Sequence, residues 1–420
     1  MLIRLEIQSI VHGGAGLARH EGRVVFVRGA APGDLVEVEL DDSAARPQRF
    51  EHATVQRLVS AGPARVEAPC PIVDRCGGCP LQHTSAPAQL AGKEALLRDA
   101  LTRTGGLNDP ELWPIVPSPQ PLRYRRRARL HRGPRGQWGF KLDDRVEPVA
   151  ECLLFEPALQ ALADGVRAEL GSVPGVVDLG LDTSDKGQGA VDLRTASAPT
   201  PSLRKRAREL LASVPGLRGV TLGTGEANTA PEIFGDPVLV DSPQPWRLRS
   251  RPDLFAQANR GAVPLLQAAV LEALGDAERV LELFCGAGTL TLPLLARGAR
   301  VTGVEFAGPA LALLRKSADE LGAADRLRLI AGDAAKVAHE AFAGADAVLL
   351  DPPRTGAAAL MPVLARLRPQ RIVYVSCDAP TLGRDAKALI EAGYRLLRAV
   401  PFDLFPQTAH FEVVATFVRG

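Results

Sequence analysis

The chain has 420 residues, of which 46% are hydrophobic and 23% are charged. This composition excludes a disordered protein, and the length allows two or three domains. No run of about 18 apolar residues is present, so we expect no membrane helix. The early charge of Arg4 is unlike a signal peptide, which favours a cytoplasmic location. The net charge of +2 gives no information about partners.

Residues 1 to about 60 alternate short β-type runs with glycine-containing turns. The runs at residues 5–7, 24–27 and 35–40 are candidate strands. Several short strands in so little chain predict a small barrel of the oligonucleotide-binding type. A barrel that only packs against its neighbours is the alternative.

The next segment carries three cysteines in a tight loop. Cys70, Cys76 and Cys79 have C-x5-C-x2-C spacing, and a Gly-Gly pair and a proline prevent a helix there. Such a loop can turn three sulfurs toward one centre, and Cys152 is available as a fourth ligand. In a cytosolic chain a metal site is favoured over disulfides. Four thiolates can hold zinc or an iron–sulfur cluster, and the spacing does not decide between them.

Residues 87–104 predict an amphipathic helix that ends at a Gly-Gly pair. A strand at residues 124–130 follows, within a segment of seven arginines that contains no acidic residue. The arginines are Arg123, Arg125, Arg126, Arg127, Arg129, Arg132 and Arg135. Such a patch suits the phosphates of a nucleic acid, and a solvated loop is the alternative. Mixed strands and helices are expected at residues 140–250.

Residues 279–305 predict a strand, a glycine turn, a helix at residues 289–298 and a second strand that ends on Glu305. This order is typical of a nucleotide-binding βαβ unit, and the terminal acid suits the two hydroxyls of a ribose. The turn lacks the G-x-G-x-x-G pattern of a dinucleotide site. S-adenosylmethionine therefore fits better than NAD, and a purely structural βαβ unit is the alternative.

Three later strands each end on a side chain that can do chemistry. Asp333 follows residues 327–330, Asp351 follows residues 347–350, and Cys377 follows residues 371–375. Residues 396–400 and 411–418 could close this sheet as an antiparallel pair. Ligands of open α/β sheets bind at the carboxyl ends of the strands, so we expect the site there.

The D-P-P-R sequence that starts at Asp351 has Arg354 where amine methyltransferases have an aromatic residue, which argues against amine methylation. Cys377 offers another chemistry. A thiolate that adds to C6 of uracil makes C5 nucleophilic, and a base such as Glu412 then removes the C5 proton. The positive charge that stabilises the thiolate could come from Arg129 or Arg354. A buried core cysteine and an ordinary strand acid are the alternatives.

The C-terminal segment resembles the S-adenosylmethionine-dependent RNA uracil-5 methyltransferases. The matching words are DLFAQAN, LELFCGAGTLTLPLL, DPPRTGA, YVSCDAPTLGRD and DLFPQTAHFE, and residues 13–40 resemble a TRAM domain. The resemblance implies an α/β protein with three domains: an OB-like TRAM β-barrel (1–60), a central α+β iron–sulfur and RNA-binding domain (61–250), and a Rossmann-like methyltransferase domain (251–420). The helix at about 87–104 could pack on the last of these.

The resemblance also implies residue roles. Cys377 would be the nucleophile and Glu412 the base. S-adenosylmethionine would be bound by Gln257, Phe284, Thr289, Glu305, Asp333 and Asp351. The uracil would be bound by Phe255, Arg129 and Asp351, and a 4Fe-4S cluster by Cys70, Cys76, Cys79 and Cys152. Two residues depart from the family pattern, because Thr289 and Asp378 stand where Asn is usual. Cys285 is assigned to packing.

The branch with this cysteine pattern mostly acts on 23S ribosomal RNA, which is the expected substrate. Transfer RNA is the alternative substrate. A non-catalytic RNA-binding protein that senses redox state through its cluster is a less favoured alternative. No obligate protein partner is expected, and the protein is expected to be a monomer.

Overall fold

The computed structural model describes residues 2–40, 50–171, 173–226, 229–243, 245–342 and 344–420. The first strands wrap around an apolar core that includes Leu5, Val25, Val27 and Val36. They form one six-stranded arrangement in the order β1-β5-β6-β4-β3-β2. Their bounds are β1 Leu2–Glu6, β2 Ser9–Ile10, β3 Gly16–His20, β4 Arg23–Arg28, β5 Leu35–Glu39 and β6 Phe50–Ser60. The candidate strands at residues 24–27 and 35–40 are thereby confirmed, and the candidate at residues 5–7 overlaps the end of β1. We call the described residues 2–40 and 50–60 the N-terminal barrel.

The cysteine loop follows the barrel, and the helix after it packs far from its sequence neighbours. Helix α1 spans Ala86–Asp99 and continues as a π-helix over Ala100–Thr104, which confirms the predicted helix. Leu97 and Leu101 lie in the same hydrophobic core as Leu281 and Tyr374 of the C-terminal sheet. A Cβ at Gly383 would lie 2.5 Å from the Ala100 carbonyl oxygen, so only glycine permits this close crossing.

The central sheet has the strand order β13-β12-β11-β10-β7-β8-β9. Its elements are β7 Arg127–Arg132, β8 Trp138–Leu142, β9 Arg145–Pro148, α2 Pro157–Leu170, β10 Val176–Thr183, β11 Gly189–Thr195, α3 Pro201–Ser213, β12 Leu217–Gly223 and β13 Glu232–Gly235. Helices α2 and α3 bury an apolar stripe against this sheet. The strand predicted at residues 124–130 starts three residues later, because residues 123–126 hydrogen bond to other segments instead.

The third sheet is a mostly parallel α/β sheet in the order β18-β17-β16-β19-β20-β22-β21. After the short pair β14 Leu239–Asp241 and β15 Leu248–Ser250, its elements are α4 Val263–Leu274, β16 Arg279–Leu283, α5 Thr291–Ala296, β17 Arg300–Glu305, α6 Gly308–Glu320, β18 Leu327–Ala331, α7 Ala334–Ala341, β19 Ala347–Leu350, α8 Met361–Leu367, β20 Arg371–Ser376, α9 Ala379–Glu391, β21 Tyr394–Phe402 and β22 Glu412–Arg419. The predicted antiparallel closing pair is confirmed as β21 and β22.

The helix predicted at residues 289–298 is shorter than expected, because the turn after β16 continues through Leu290 before α5 begins. Within the described ranges, no helix is long and apolar enough to cross a membrane.

Candidate active site

The parallel strands bring the predicted site residues to one edge of the third sheet. Strands β16 to β20 run in the same direction, so their carboxyl ends meet there. Glu305 ends β17, Asp351 follows β19, and Cys377 follows β20. Glu412 opens the antiparallel strand β22 next to β20, and therefore starts at the same edge.

The turn after β16 has a backbone suited to a ligand. Phe284 has a φ of 65° and Gly286 a φ of 53°, which are left-handed values that are unusual for a phenylalanine. The Gly286 N–H donates to the Glu305 carboxylate at 3.1 Å, which ties the turn to the end of β17. A Cβ built on Gly286 would meet no atom within 4 Å, so open space lies in front of the turn. This arrangement leaves room for an adenosyl ligand.

The other predicted cofactor residues are placed as follows. Asp333 is exposed and caps α7, where its carboxylate accepts from the Ala335 N–H at 2.9 Å. Gln257 is buried at 7% exposure, and the Thr289 carbonyl accepts from the Gln267 amide at 2.7 Å. Phe306, which is 70% exposed directly after Glu305, was not predicted as a site residue. An apolar residue directly after a strand-ending acid is a pattern that could have identified it.

The thiol of Cys377 is partly buried and surrounded mostly by negative charge. Burial raises its pKa to about 12, and the nearby carboxylates of Glu412 and Asp351 contribute to the rise. The positive charge of Arg354 acts in the opposite direction and lowers the pKa of the thiol. Of the two arginines predicted to stabilise the thiolate, Arg354 therefore supplies the positive charge near Cys377.

Burial raises the pKa of three carboxyl groups near the carboxyl ends of the strands, and two of them, Glu412 and Asp351, also act on the thiol. Burial raises the pKa of Glu282 to about 8 and that of Asp351 to about 7. Burial and the charge of Asp351 raise the pKa of Glu412 well above its usual value. Glu412 is 3% exposed, and within the described chain its Oε2 has no hydrogen-bond partner. A buried carboxyl oxygen without a partner is available for proton transfer with a ligand.

Asp378 has a structural function that the sequence did not reveal. Its carboxylate accepts from the Thr381 N–H at 3.0 Å and so caps helix α9. Its other oxygen lies 3.7 Å from Nε2 of His12, a residue of the N-terminal barrel. His12 was not predicted as a site residue, and nothing in its sequence neighbourhood indicates this contact.

His410, like Phe306 and His12, was not predicted as a site residue. Arg354 donates to its ring at 2.7 Å, and burial and the Arg354 charge lower the His410 pKa to about 4. The ring is therefore neutral near pH 7, and it holds Arg354 close to the start of β22.

The four predicted ligand cysteines line one cavity of about 410 Å³. Gly77 lets the loop approach the central sheet, because a Cβ there would lie 2.2 Å from the Lys141 carbonyl oxygen. Burial raises the pKa of Cys79 to about 12. Among the described residues, no group of three or more His, Cys, Asp and Glu side chains converges as a single metal ion requires. Cys285 lies outside this cavity, in the core of the third sheet.

Two of the seven arginines predicted to form a phosphate-binding patch instead make ion pairs within the protein. Arg126 is 3% exposed and pairs with Asp182 and Asp241, strand residues far away in the sequence. Arg129 lines the cysteine cavity and donates to Asp192 at 3.0 Å. The acidic partners lie far away in the sequence, so the local arginine pattern could not reveal them. Both arginine side chains therefore belong to ion pairs within the protein.

A third arginine holds the loop that presents Phe255. Arg127 donates to the carbonyl oxygens of Leu254 at 2.7 Å and Ala256 at 3.2 Å. Phe255 lies between these two residues and is 75% exposed, as a residue that contacts a base would be. Asn259 of the same loop donates to the Leu404 carbonyl at 3.0 Å, which ties it to the segment before Glu412.

Two family models match the chain. Residues 244–419 match the model described as tRNA (Uracil-5-)-methyltransferase, and residues 2–48 match the TRAM domain. The second match covers the N-terminal barrel up to the residues before β6, and the first begins between β14 and β15.

Curated relatives match over almost the whole chain. The 23S rRNA (uracil(1939)-C(5))-methyltransferase RlmD of Pectobacterium atrosepticum is 34% identical, over 99% of this chain and 94% of that protein. The protein of the same name from Pseudomonas putida is 36% identical, again over 99% of this chain and 94% of that protein.

A solved structure shares the fold. The Pyrococcus abyssi tRNA (uracil-54, C5)-methyltransferase, crystallised with S-adenosyl-L-homocysteine, superposes with a TM-score of 0.76 over 99% of each chain. At a sequence identity of 22%, this comparison shows only that the two chains share the same fold.

Proposed function

The chain belongs to the family of RNA uracil-5 methyltransferases with a TRAM domain, and we propose that it methylates C5 of a uridine in 23S ribosomal RNA. The observation that carries the chemistry is the partly buried Cys377 thiol beside the solvent-deprived, unpartnered carboxyl of Glu412. The ribosomal substrate is supported by the relatives named above, which act on uracil 1939 of 23S rRNA by name.

Cys377 is proposed as the nucleophile. Its sulfur adds as thiolate to C6 of the flipped uracil, and the electron pair of the C5–C6 bond moves onto C5 and O4. S-adenosylmethionine supplies an electrophilic methyl group for the C5 carbon activated in this way. Arg354 stabilises the thiolate, because its charge lowers the pKa of the thiol.

Glu412 is proposed as the base that removes the C5 proton, after which the sulfur leaves C6. A raised pKa gives its carboxylate a high affinity for that proton. The Cys377 thiolate and Glu412 repel each other. Conversion of the thiolate to an uncharged thioether removes this repulsion, so ionisation of Glu412 becomes easier once the adduct exists.

The residues of the third sheet fit an adenosyl ligand. We propose that Glu305 binds the ribose and that the Phe284 turn, Gln257 and Thr289 surround the rest of the ligand. Asp333 and Asp351 complete the set, and Asp351 also faces the uracil. Phe255 is proposed to contact the base, since it is 75% exposed on a fixed loop. Arg129 is also proposed to contact the uracil. Its guanidinium would then leave Asp192, to which it donates in this structure, and bind the substrate instead.

We propose a 4Fe-4S cluster on Cys70, Cys76, Cys79 and Cys152. Zinc would require its four sulfurs to be about 3.8 Å apart, since Zn–S bonds are about 2.3 Å long and tetrahedral. In a cubane cluster each thiolate binds a different iron, so the sulfurs surround a larger volume. The four cysteines line one cavity, and among the described residues no group of three or more ligand side chains converges as a single metal ion requires; together these observations support the cluster. Its function would be structural, because the proposed chemistry transfers no electrons.

Metal analysis of anaerobically purified protein tests the cluster. We expect about four irons and as much labile sulfide per chain. Cys79→Ser should lower the iron content and the unfolding temperature, whereas Cys285→Ala, outside the cavity, should keep the iron. Stoichiometric zinc without iron in the wild-type protein would overturn this assignment.

The proposed arrangement assigns residues 1–60 to RNA binding, 61–250 to cluster and RNA binding, and 251–420 to methyl transfer. A monomer in the cytoplasm, where ribosomal RNA is found, agrees with this assignment. The target uridine must leave its stack to meet Cys377. Unmodified 23S ribosomal RNA and transfer RNA should be offered side by side to the purified enzyme, with the methyl group located by mass spectrometry. Methylation confined to transfer RNA would contradict the ribosomal substrate and leave the uracil-5 chemistry standing.

A further inference from the structure

Three rings form a cluster on the outer face of the N-terminal barrel. The ring centroid of Phe26 on β4 lies 6.0 Å from that of Phe50 and 5.4 Å from that of His52, both on β6. Phe50 and His52 are 5.8 Å apart with their planes at 85°. Phe50 is 49% exposed, whereas Val25 and Val27, which alternate with Phe26, are fully buried. The rings thus belong to the outward side of the strands.

The cluster borders a cleft of about 1080 Å³ between the barrel and the cysteine loop. Phe26 and His52 line one wall together with the polar side chains of Thr54 and Gln56. The opposite wall includes the cysteine loop at residues 73–80. This volume exceeds that of most small-molecule pockets, and its mixture of rings and polar groups suits an extended chain.

The cleft leads to the catalytic edge. His12 lines it, and the Nε2 atom of His12 lies 3.7 Å from Asp378, the residue after Cys377. A strand of RNA with one nucleotide at Cys377 therefore has a path along His12 to the rings of the barrel.

A buried polar atom in the same cleft lacks a partner. His83 lines the cleft at 8% exposure, and its Nε2 makes no hydrogen bond within the described ranges. Buried polar groups are nearly always hydrogen bonded, so a ligand is expected to provide the missing partner.

We propose that this cleft holds the single-stranded RNA next to the target uridine and that Phe26, Phe50 and His52 form a platform on which a flanking base stacks. The proposal rests on the function proposed above and assigns the RNA contacts of the barrel to residues. Cleft charges are mixed, since Arg28 is bound to Asp143 at 3.0 Å and Asp74 is also present. Stacking rather than phosphate attraction therefore provides the affinity here, and its loss weakens RNA binding about 5- to 150-fold.

The test measures RNA affinity of the full-length, cluster-containing protein at several salt concentrations. Phe50→Ala and His52→Ala should each weaken binding of a 23S ribosomal RNA fragment with an unchanged salt slope, because no phosphate contact is removed. Phe50→Trp, which keeps an aromatic ring at this position, should bind the RNA with wild-type affinity. Leu2→Ala is the matched control, since Leu2 is 61% exposed on β1 at one edge of the barrel sheet. Unfolding temperature and S-adenosylmethionine binding should stay at wild-type values in all four variants.

Transfer RNA is titrated in parallel, so that the platform and the ribosomal substrate are tested separately. Wild-type affinity of both alanine variants for both RNAs would overturn the platform, even if the wild-type enzyme methylates 23S ribosomal RNA. Loss of binding to transfer RNA alone would support the platform and contradict the ribosomal substrate. If the alanine variants lost a copurifying protein but kept their RNA affinity, the three rings would be a protein-docking surface and the proposal would be overturned.

Discussion

Two regions of the molecule bury charged groups in opposite ways. Directly before β7, Arg126 is 3% exposed, and its guanidinium pairs with Asp182 and Asp241 and donates to Ser250. At the carboxyl edge of the third sheet, Glu412 is equally buried, and its Oε2 has no partner within the described chain. The first group is satisfied from within the protein, and the second is not.

This difference separates structural charges from chemical ones. Asp182 and Asp241 favour the charged form of Arg126, so its pKa stays above the usual value despite burial. At Glu412, Asp351 and Glu282 burial raises the pKa of each carboxyl, and at Glu412 the charge of Arg354 offsets this only in part. Carboxyl groups with raised pKa values in one cleft are typical of proton transfer.

The largest predicted effect is that of Glu412→Gln, which removes the base and keeps the shape of the side chain. We expect a loss of turnover of about 10²- to 10⁴-fold and accumulation of the methylated covalent adduct, because its C5 proton cannot be removed. Intact-mass measurement after one turnover detects this adduct. Glu391→Gln, an exposed glutamate at the end of α9, is the control. Normal turnover of Glu412→Gln would show that another group is the base.

The second prediction addresses the paired region. Arg126→Met removes the cation that pairs with the buried Asp182 and leaves Asp241 paired with Arg260 alone. It should lower the free energy of unfolding by about 3–5 kcal/mol, as measured by chemical denaturation. Arg135→Met, at an exposed position of the same segment, should change it little. If Arg126→Met weakened RNA binding at unchanged stability, the phosphate-binding role first predicted for this segment would be reinstated.

A smaller effect is expected at Arg354, whose charge lowers the Cys377 pKa. Activity that requires the thiolate rises as the pH rises toward the thiol pKa. Arg354→Gln removes the favourable charge and raises that pKa, so the rising limb of the pH–rate profile should move to higher pH. An unchanged profile would mean that the thiolate is stabilised by another group.

The smallest effect is expected from Asp378→Asn, because Asp378 contributes less to the thiol pKa than Arg354 does. Asparagine can still cap α9, and loss of the negative charge lowers the thiol pKa. The rising limb should therefore move to lower pH, opposite to the shift for Arg354→Gln. A shift in the same direction for both variants would contradict this electrostatic account.

The sequence predicted the strands and the positions of chemistry at their ends. The apolar runs that precede Glu305, Asp351 and Cys377 were enough to predict the site, because parallel strands place their carboxyl ends at one edge of the sheet, independently of the connecting loops. The helix at residues 87–104 was also predicted, because its stop signal, a Gly-Gly pair, is local. Its buried face was not, since Gln89 and Lys93 lie there beside Leu97.

Contacts between distant segments were not predicted. The partners of Arg126 lie 56 and 115 positions away, and a local pattern of arginines cannot reveal them. His12 reaches Asp378 from the N-terminal barrel for the same reason. The start of the helix predicted at residues 289–298 was misplaced because Thr289 and Leu290 belong to the turn after β16, and α5 begins at Thr291.

Peptide mapping of an adduct with 5-fluorouridine RNA tests the central claim most directly. Fluorine at C5 cannot be removed as a proton, so the methylated base should stay bonded through C6 to the sulfur of Cys377. We predict a stable RNA–protein adduct in the presence of S-adenosylmethionine, mapped to the peptide that contains Cys377, and no adduct with Cys377→Ala. An adduct at another residue, or full turnover by Cys377→Ala on ordinary RNA, would contradict the account.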